Sequence, residues 1–370
     1  MPLVLSQSIG ALTPTGPEAA VKFDLFYEVM VPKDWTEEVE RQIYRDTLDE
    51  IVYADQLGYE TVWIARHHGT AGFSHTSSPE VLFGALAVQT SRIRLGFGVE
   101  LLPLVHPVYV AERAATLDVV SNGRVDVGTG RTMGENQIRL FGVDPETTRA
   151  RWLESIRTLP QLWTERGVEH HGTYWNWDHE ITVVPRVVQR PHPPLWVAAS
   201  RNESAALAGY YGLGMLMSSF RSPQDLEEDF AAYKGAVSQP SDQIGLFTND
   251  QASLVTVAIC HEPGDQAARE RARAAALNYL AAVRRGYGQN QGAAASINTI
   301  PDSDVFDAGI LLVGDPDYMI GAVEKAGAIG ADRMMLLTQL GGLPHDDVMT
   351  SLRLFATQVM PHFQDAEAIA

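Results

Sequence analysis

IRLGFGVELLPLVHPVYVAERAATLDVVSNGRVDVGTG, residues 93–130, carries one complete strand–helix–strand unit. IRLGFGVELL (93–102) is an unbroken apolar run without polar alternation, which marks a strand buried on both faces. Pro107 then opens a helix that reaches about Val120, since proline is favoured in the first helical turn. VDVGTG (125–130) is the next buried strand. Two such strands joined through a helix form a parallel crossover unit.

The same rhythm extends in both directions. Upstream, KFDLFYEV (22–29) and TVWIAR (61–66) read as strands, separated by a helix from about Thr36 to Leu57 that Gly58 ends. Ser78-Pro79-Glu80 opens another helix, which runs to about Thr90. Downstream, LWVAAS (195–200), GMLMSSF (214–220), ASLVTVAIC (252–260) and MMLLTQL (334–340) are strands. Helices are expected near 146–164, 202–211, from Ser222, at 264–285, 315–328 and 345–360. Eight buried strands alternating with helices favour a closed (β/α)₈ barrel over an open doubly wound sheet. Residues 167–194 interrupt the rhythm and read as an inserted hairpin. Residues 286–309 are rich in Gly, Ala, Asn, Gln and Asp, and read as a long functional loop.

Composition narrows the function. Of the 370 residues 45% are hydrophobic and 20% charged, which suits a large buried core rather than a disordered chain. The net charge of -18 opposes binding to nucleic acid or to an anionic membrane surface. A local basic pocket can still hold a small anion, because surface charges beyond roughly 8 Å are screened at physiological salt. With Cys260 alone there is no intramolecular disulfide and no cysteine metal site, which fits a reducing compartment and a cytoplasmic protein. Residues 1–21 lack a basic segment before their apolar stretch and contain Pro14 and Pro17, so they read as a loose arm rather than a signal peptide. Residues 363–370 read as a tail.

In a parallel barrel the site is built at the C-terminal ends of the strands. The second strand ends in Arg66-His67-His68. Adjacent side chains on a strand point to opposite sides, so one imidazole at most faces a given ligand atom. Such a histidine can transfer protons near neutral pH, although a solvated turn would look the same. His75, His106, His170, His171 and His179 show no converging spacing, and no metal is expected. Gly96 and Gly98 mark either a bulge or a close approach of backbone to ligand. Arg131 follows Gly128-Thr129-Gly130 and brings a guanidinium fork suited to phosphate. Ser200, Arg201 and Ser204 stand where the fifth barrel strand meets a helix. They read either as an ordinary cap or, beside Arg131, as an anion site at a helix N-terminus.

LGYETVWIARHHGTAGF (57–73), the 93–144 segment and GGLPHDDVMTSLRLFATQVMPHF (341–363) resemble the bacterial luciferase-like flavin-dependent monooxygenases. The resemblance spans residues 22–362. It implies a (β/α)₈ barrel, usually dimeric, that receives reduced FMN from a separate flavin reductase. It further implies activation of O₂ as a flavin C4a-peroxide to oxygenate a small organic substrate. A minority branch of the family uses the deazaflavin F420 for hydride transfer. A further alternative is a non-catalytic barrel subunit of a heterodimer.

By position, the resemblance makes His67 the catalytic histidine, with His68 its neighbour and His106 a pocket histidine. Gly98-Val99 becomes a non-prolyl cis peptide against the flavin ring. Arg131, Arg149, Ser200, Arg201 and Ser204 become the phosphate site, and 286–309 a lid. Trp175, Trp177, Tyr174, Phe73 and Phe220 are candidates for an apolar substrate wall, or for plain core or dimer contacts. Three departures stand out, one being that the phosphate site follows strands four and five where barrels commonly use strands seven and eight. Arg66 replaces the glutamate common before the paired histidines, and should favour a neutral His67 by charge repulsion if it lies close. Gly130 replaces the reactive cysteine of true luciferases, so light emission is not implied.

Overall fold

A computed structural model describes residues 21–71, 73–131, 134–287 and 300–363. Eight parallel strands close into a ring: β1 (Lys22–Tyr27), β2 (Thr61–Ile64), β3 (Arg94–Leu101), β4 (Val125–Gly130), β7 (Leu195–Ala199), β8 (Gly214–Ser218), β9 (Ala252–Cys260) and β11 (Arg333–Leu337), which returns to β1. The expected (β/α)₈ barrel is the observed fold. β5 (Val168–His171) and β6 (Asn176–Ile181) pair antiparallel as the inserted hairpin.

The helices fall where proline, cap and glycine signals place them. α1 (Glu37–Leu57) starts at Thr36, whose hydroxyl accepts from the Val39 N–H, and stops at Gly58 in the left-handed region, φ 90°. α2 (Pro79–Gln89), α3 (Pro107–Val120), α7 (Pro223–Val237) and α9 (Pro316–Ala328) each begin on a proline. Between them lie α4 (Glu135–Leu140), α5 (Thr148–Thr164), α6 (Asn202–Tyr210) and α8 (Gln266–Tyr287), and α10 (His345–Leu354) closes the chain.

Two sequence expectations change. A ninth parallel strand, β10 (Leu311–Gly314), pairs with the upper half of β9, where Leu311 meets Val257 and Gly314 meets Cys260. Four apolar residues running almost directly into a helix give too short a pattern to separate from that helix. The loop read at 286–309 is also shorter than expected. Its start belongs to α8, and Val305 and Phe306 are buried with Ile310 and Leu311 against α8. Those apolar anchors pin the second half. Residues 288–299 of that loop, most of the N-terminal arm (1–20) and most of the tail (364–370) lie outside the described residues.

Inside the barrel the layers have different chemistry. At the floor Arg333 grips Asp24 with two hydrogen bonds, Nε–Oδ2 at 2.8 Å and Nη2–Oδ1 at 2.5 Å. The indole of Trp63 donates to Asp24, and that of Trp196 to Asp126. Burial works against the charge on Arg333, but the adjacent Asp24 outweighs it and raises the guanidinium pKa. Above this polar floor, Trp63, Trp196, Leu216 and Met335 form an apolar plug. Gly96 makes room for the plug, because a side chain there would meet the Trp63 ring at 2.4 Å. The barrel is therefore a filled core up to the plug, and a cavity opens above it.

Candidate active site

That space is a cavity of about 550 Å³ at the C-terminal ends of the strands. Its size is that of a cofactor or small-ligand pocket. β1 contributes Phe26 and, just past its end, Glu28; the end of β2 contributes Arg66 and His67. β3 contributes Gly98 and Val99, and β4 ends in Gly130 and Arg131. Ser200 and Arg201 come from the turn before α6, Phe220 from beyond β8, Val257 from β9, Tyr279 from α8 and Leu337 from β11.

The Gly98–Val99 bond is cis, and the β3–β4 register shifts between Phe97 and Glu100. The bulge and the close-approach readings of these glycines therefore meet at one place. A side chain on Gly130 would meet Val99 Cγ2 at 2.6 Å. Any larger residue at 130, cysteine included, would have to displace the Val99 side chain.

One end of the cavity is cationic. Among the described residues Arg131 has no ion-pair partner. Partial burial lowers its pKa, and the nearby Arg149 and Arg201 lower it further. Arg149 and Arg201 both lean on Glu203, at 3.3 and 3.9 Å. Three guanidiniums against one carboxylate make a local positive end on a chain of net charge -18. The N-terminus of α6 opens onto the same place and adds its partial positive charge. Ser204 is engaged otherwise than expected. Its hydroxyl accepts from the Ser200 and Arg201 N–H groups at 3.0 and 3.1 Å and donates to the Arg201 carbonyl. It shapes the turn instead of facing the cavity. This donor set, with the apolar Val99 and Leu216 beside it, suits a ligand with an anion at one end and a flat aromatic body.

The opposite end holds His67, whose side chain is 9% exposed. Burial, and secondarily His68, lowers its pKa to about 4, so the imidazole is neutral near neutral pH. The expected cause, repulsion by Arg66, is not the one at work. Arg66 is drawn away by Glu80 at 2.6 Å and Glu100 at 2.8 Å, and it depresses His68 rather than His67.

His68 rests on Phe141, with ring centroids 4.8 Å apart, and does not line the cavity. His106 is elsewhere too. Its Nδ1 accepts from the Val108 N–H at the start of α3, and its ring packs on Trp175 and Trp177. Those tryptophans and Tyr174 belong to the hairpin, where Glu154 accepts from the Thr173, Tyr174 and Trp175 N–H groups. Of the proposed aromatic wall only Phe220 lines the cavity; Phe73 stands behind His67, centroids 5.3 Å apart.

Glu28 was missed by sequence reasoning. It is 4% exposed, lines the cavity, and holds Oε1 3.9 Å from His67 Nε2. Its only sequence signal is a lone carboxylate in the apolar run LFYEVMV (25–31), just where a barrel strand ends.

The family model for luciferase-like monooxygenases matches residues 27–333. The oxygenase component of flavin-dependent trigonelline monooxygenase from Acinetobacter baylyi is 32% identical over 181 residues, 48% of this chain and 49% of that protein. The chain thus spans about half the length of that relative. Limonene 1,2-monooxygenase from Rhodococcus erythropolis is 28% identical over 341 residues, 87% of this chain and 81% of that protein. Among solved structures, monooxygenase RslO1 from Streptomyces bottropensis superposes with a TM-score of 0.79 at 26% identity, covering 93% of this chain and 100% of that one.

Proposed function

Because this chain belongs to the luciferase-like monooxygenase family, we propose that it is the oxygenase of a two-component system, taking reduced FMN from a separate reductase to oxygenate a small, mostly apolar substrate. The observation that carries this reading is that one cavity is lined both by Arg131, Arg201 and the turn before α6, with Arg149 close by, and by a neutral histidine. Reduced flavin, when bound, supplies the two electrons that split O₂ between product and water.

The chain's own residues do the rest. Arg131, Arg201 and the Ser200 turn would hold the phosphate, with Arg149 strengthening the field from behind. Gly98, Val99 and Leu216 would flank the ring. Phe26, Phe220, Val257 and Leu337 exclude water, which suppresses wasteful release of peroxide. His67, uncharged, can accept a proton from the reacting molecule and return it. The homodimer reading is supported by the apolar outer faces of the neighbouring helices α2 and α3, where Val81 and Val88 are 69% and 74% exposed and Tyr109 and Val120 also face outward.

The test is Arg131→Ala. A charge-assisted hydrogen bond contributes about 1.5–3 kcal/mol, so reduced FMN should bind roughly ten- to a hundredfold more weakly. Riboflavin, which lacks the phosphate, should bind as it does to the wild type. Anaerobic titration with each flavin measures both. Equal weakening of the two flavins rejects the phosphate assignment, and preferential binding of reduced F420 by the wild type rejects FMN.

A further inference from the structure

Glu28 and His67 are pinned by one residue. Thr76 accepts from the His67 N–H at 2.8 Å through its carbonyl, and its hydroxyl donates to the Glu28 carbonyl at 3.3 Å. Ser74 Oγ donates to the same Glu28 carbonyl at 2.7 Å. The next residue, Val29, holds φ 47°, a left-handed conformation that a β-branched residue adopts only when its surroundings impose it. The backbone therefore spends strain to aim the Glu28 side chain. Yet among the described residues Glu28 Oε2 and His67 Nδ1 are buried with no hydrogen-bond partner. Buried polar groups are normally satisfied, and orphans beside a cavity mark groups that meet a ligand.

The titratable groups that share the cavity wall with Glu28 are His67, Arg66, Tyr279, Arg131 and Arg201. Arg66 is committed to Glu80 and Glu100, and Arg131 and Arg201 belong to the opposite, phosphate-facing end. A carboxyl buried without a cation stays protonated. Burial accordingly raises the Glu28 pKa well above the ordinary glutamate value.

Resting on the monooxygenase reading, we propose that Glu28 is a second proton-handling residue of the site, a neutral acid that resupplies His67. The carboxyl O–H bond breaks and its proton passes to His67 Nε2. The imidazole releases the proton on Nδ1 to the departing oxygen, which leaves as water when a substrate takes the other oxygen atom and as hydrogen peroxide when no substrate is present. No electrons move in this step. Glu28 is left as a carboxylate; once product departs, Nδ1 takes a proton from solvent and Nε2 returns its proton to Glu28, which restores both the neutral acid and the starting tautomer. The 3.9 Å gap closes with a small side-chain rotation, since catalytic hydrogen bonds are often long before the ligand is bound.

Glu28→Gln keeps the shape and removes the titrating proton. In the flavin-free full-length chain, the infrared difference between wild type and variant at neutral pH should contain the band of a neutral carboxyl. Mixing the reduced FMN complex with O₂ and following flavin absorbance across neutral pH should show reoxidation slowed on the order of 10²-fold. Wild type should lose rate at alkaline pH as Glu28 gives up its proton, Glu28→Gln should lack that loss, and Glu28→Asp should restore part of the rate. A difference spectrum containing only a carboxylate band, or an unchanged pH profile in Glu28→Gln, overturns the proposal. Failure of the wild type to bind reduced FMN would instead sink the flavin reading, with the infrared band still deciding the state of Glu28.

Discussion

His67→Ala is expected to lower product formation by about 10²–10⁴-fold, the range that general acid–base catalysis contributes, while reduced FMN still binds. The phosphate end of the cavity is built from other elements, so affinity and proton transfer separate. Flavin should still be oxidised, with more hydrogen peroxide released per product. The ratio of product to peroxide is the measurement, and a wild-type ratio removes His67 from the mechanism. The pH dependence has a definite sign. Burial holds the His67 pKa at about 4, below the 6.5 of a free imidazole, so an acid limb due to this residue falls near the lower value. The same shift couples to stability. Between these two values the unfolded chain binds a proton that the folded chain refuses. His67's contribution is present above the unfolded value and is lost as pH falls through that window.

Arg333→Ala is expected to destabilise the fold by about 3–5 kcal/mol, the usual loss when one partner of a buried ion pair is removed. The variant leaves Asp24, which is 0% exposed, with the Trp63 indole in place of a bidentate guanidinium. Thr61, which receives an Arg333 N–H at 3.1 Å, also loses its partner. Urea unfolding measures the change. Replacing both members of the pair by apolar residues of similar volume should recover much of the loss, because the isolated charge is the costly species. A loss under about 1 kcal/mol, the size of an exposed ion pair, would show that water reaches the barrel floor.

The strand–helix alternation was legible in residues 93–130 because buried parallel strands and proline-opened helices leave strong local marks. β10 was not, since its four residues carry no period of their own. The cis peptide at Gly98–Val99 and the choice of His67 over His68 came from resemblance, the grouping of Arg131 with Arg201 was one of two readings of the residues themselves, and the structure puts these residues, His68 apart, around one cavity. His106 and Ser204 show the limit of position alone. One caps α3 under the hairpin tryptophans, and the other caps the turn before α6. A side chain's direction depends on which neighbour takes its polar atoms, and those neighbours are distant in the chain.

By itself, then, the sequence determined the eight barrel strands and their order, because apolar runs, prolines and glycines act on the residues next to them. Tertiary structure alone decided which polar groups are left unsatisfied. Arg66 could have repelled a proton from His67, but Glu80 and Glu100, 14 and 34 residues further along, hold it elsewhere. Glu28 looks in sequence like any carboxylate at the end of a strand. Its carboxyl pKa is raised beside His67 because barrel closure buries it where no cation among the described residues pairs with it, and burial is a property of the closed barrel rather than of any segment.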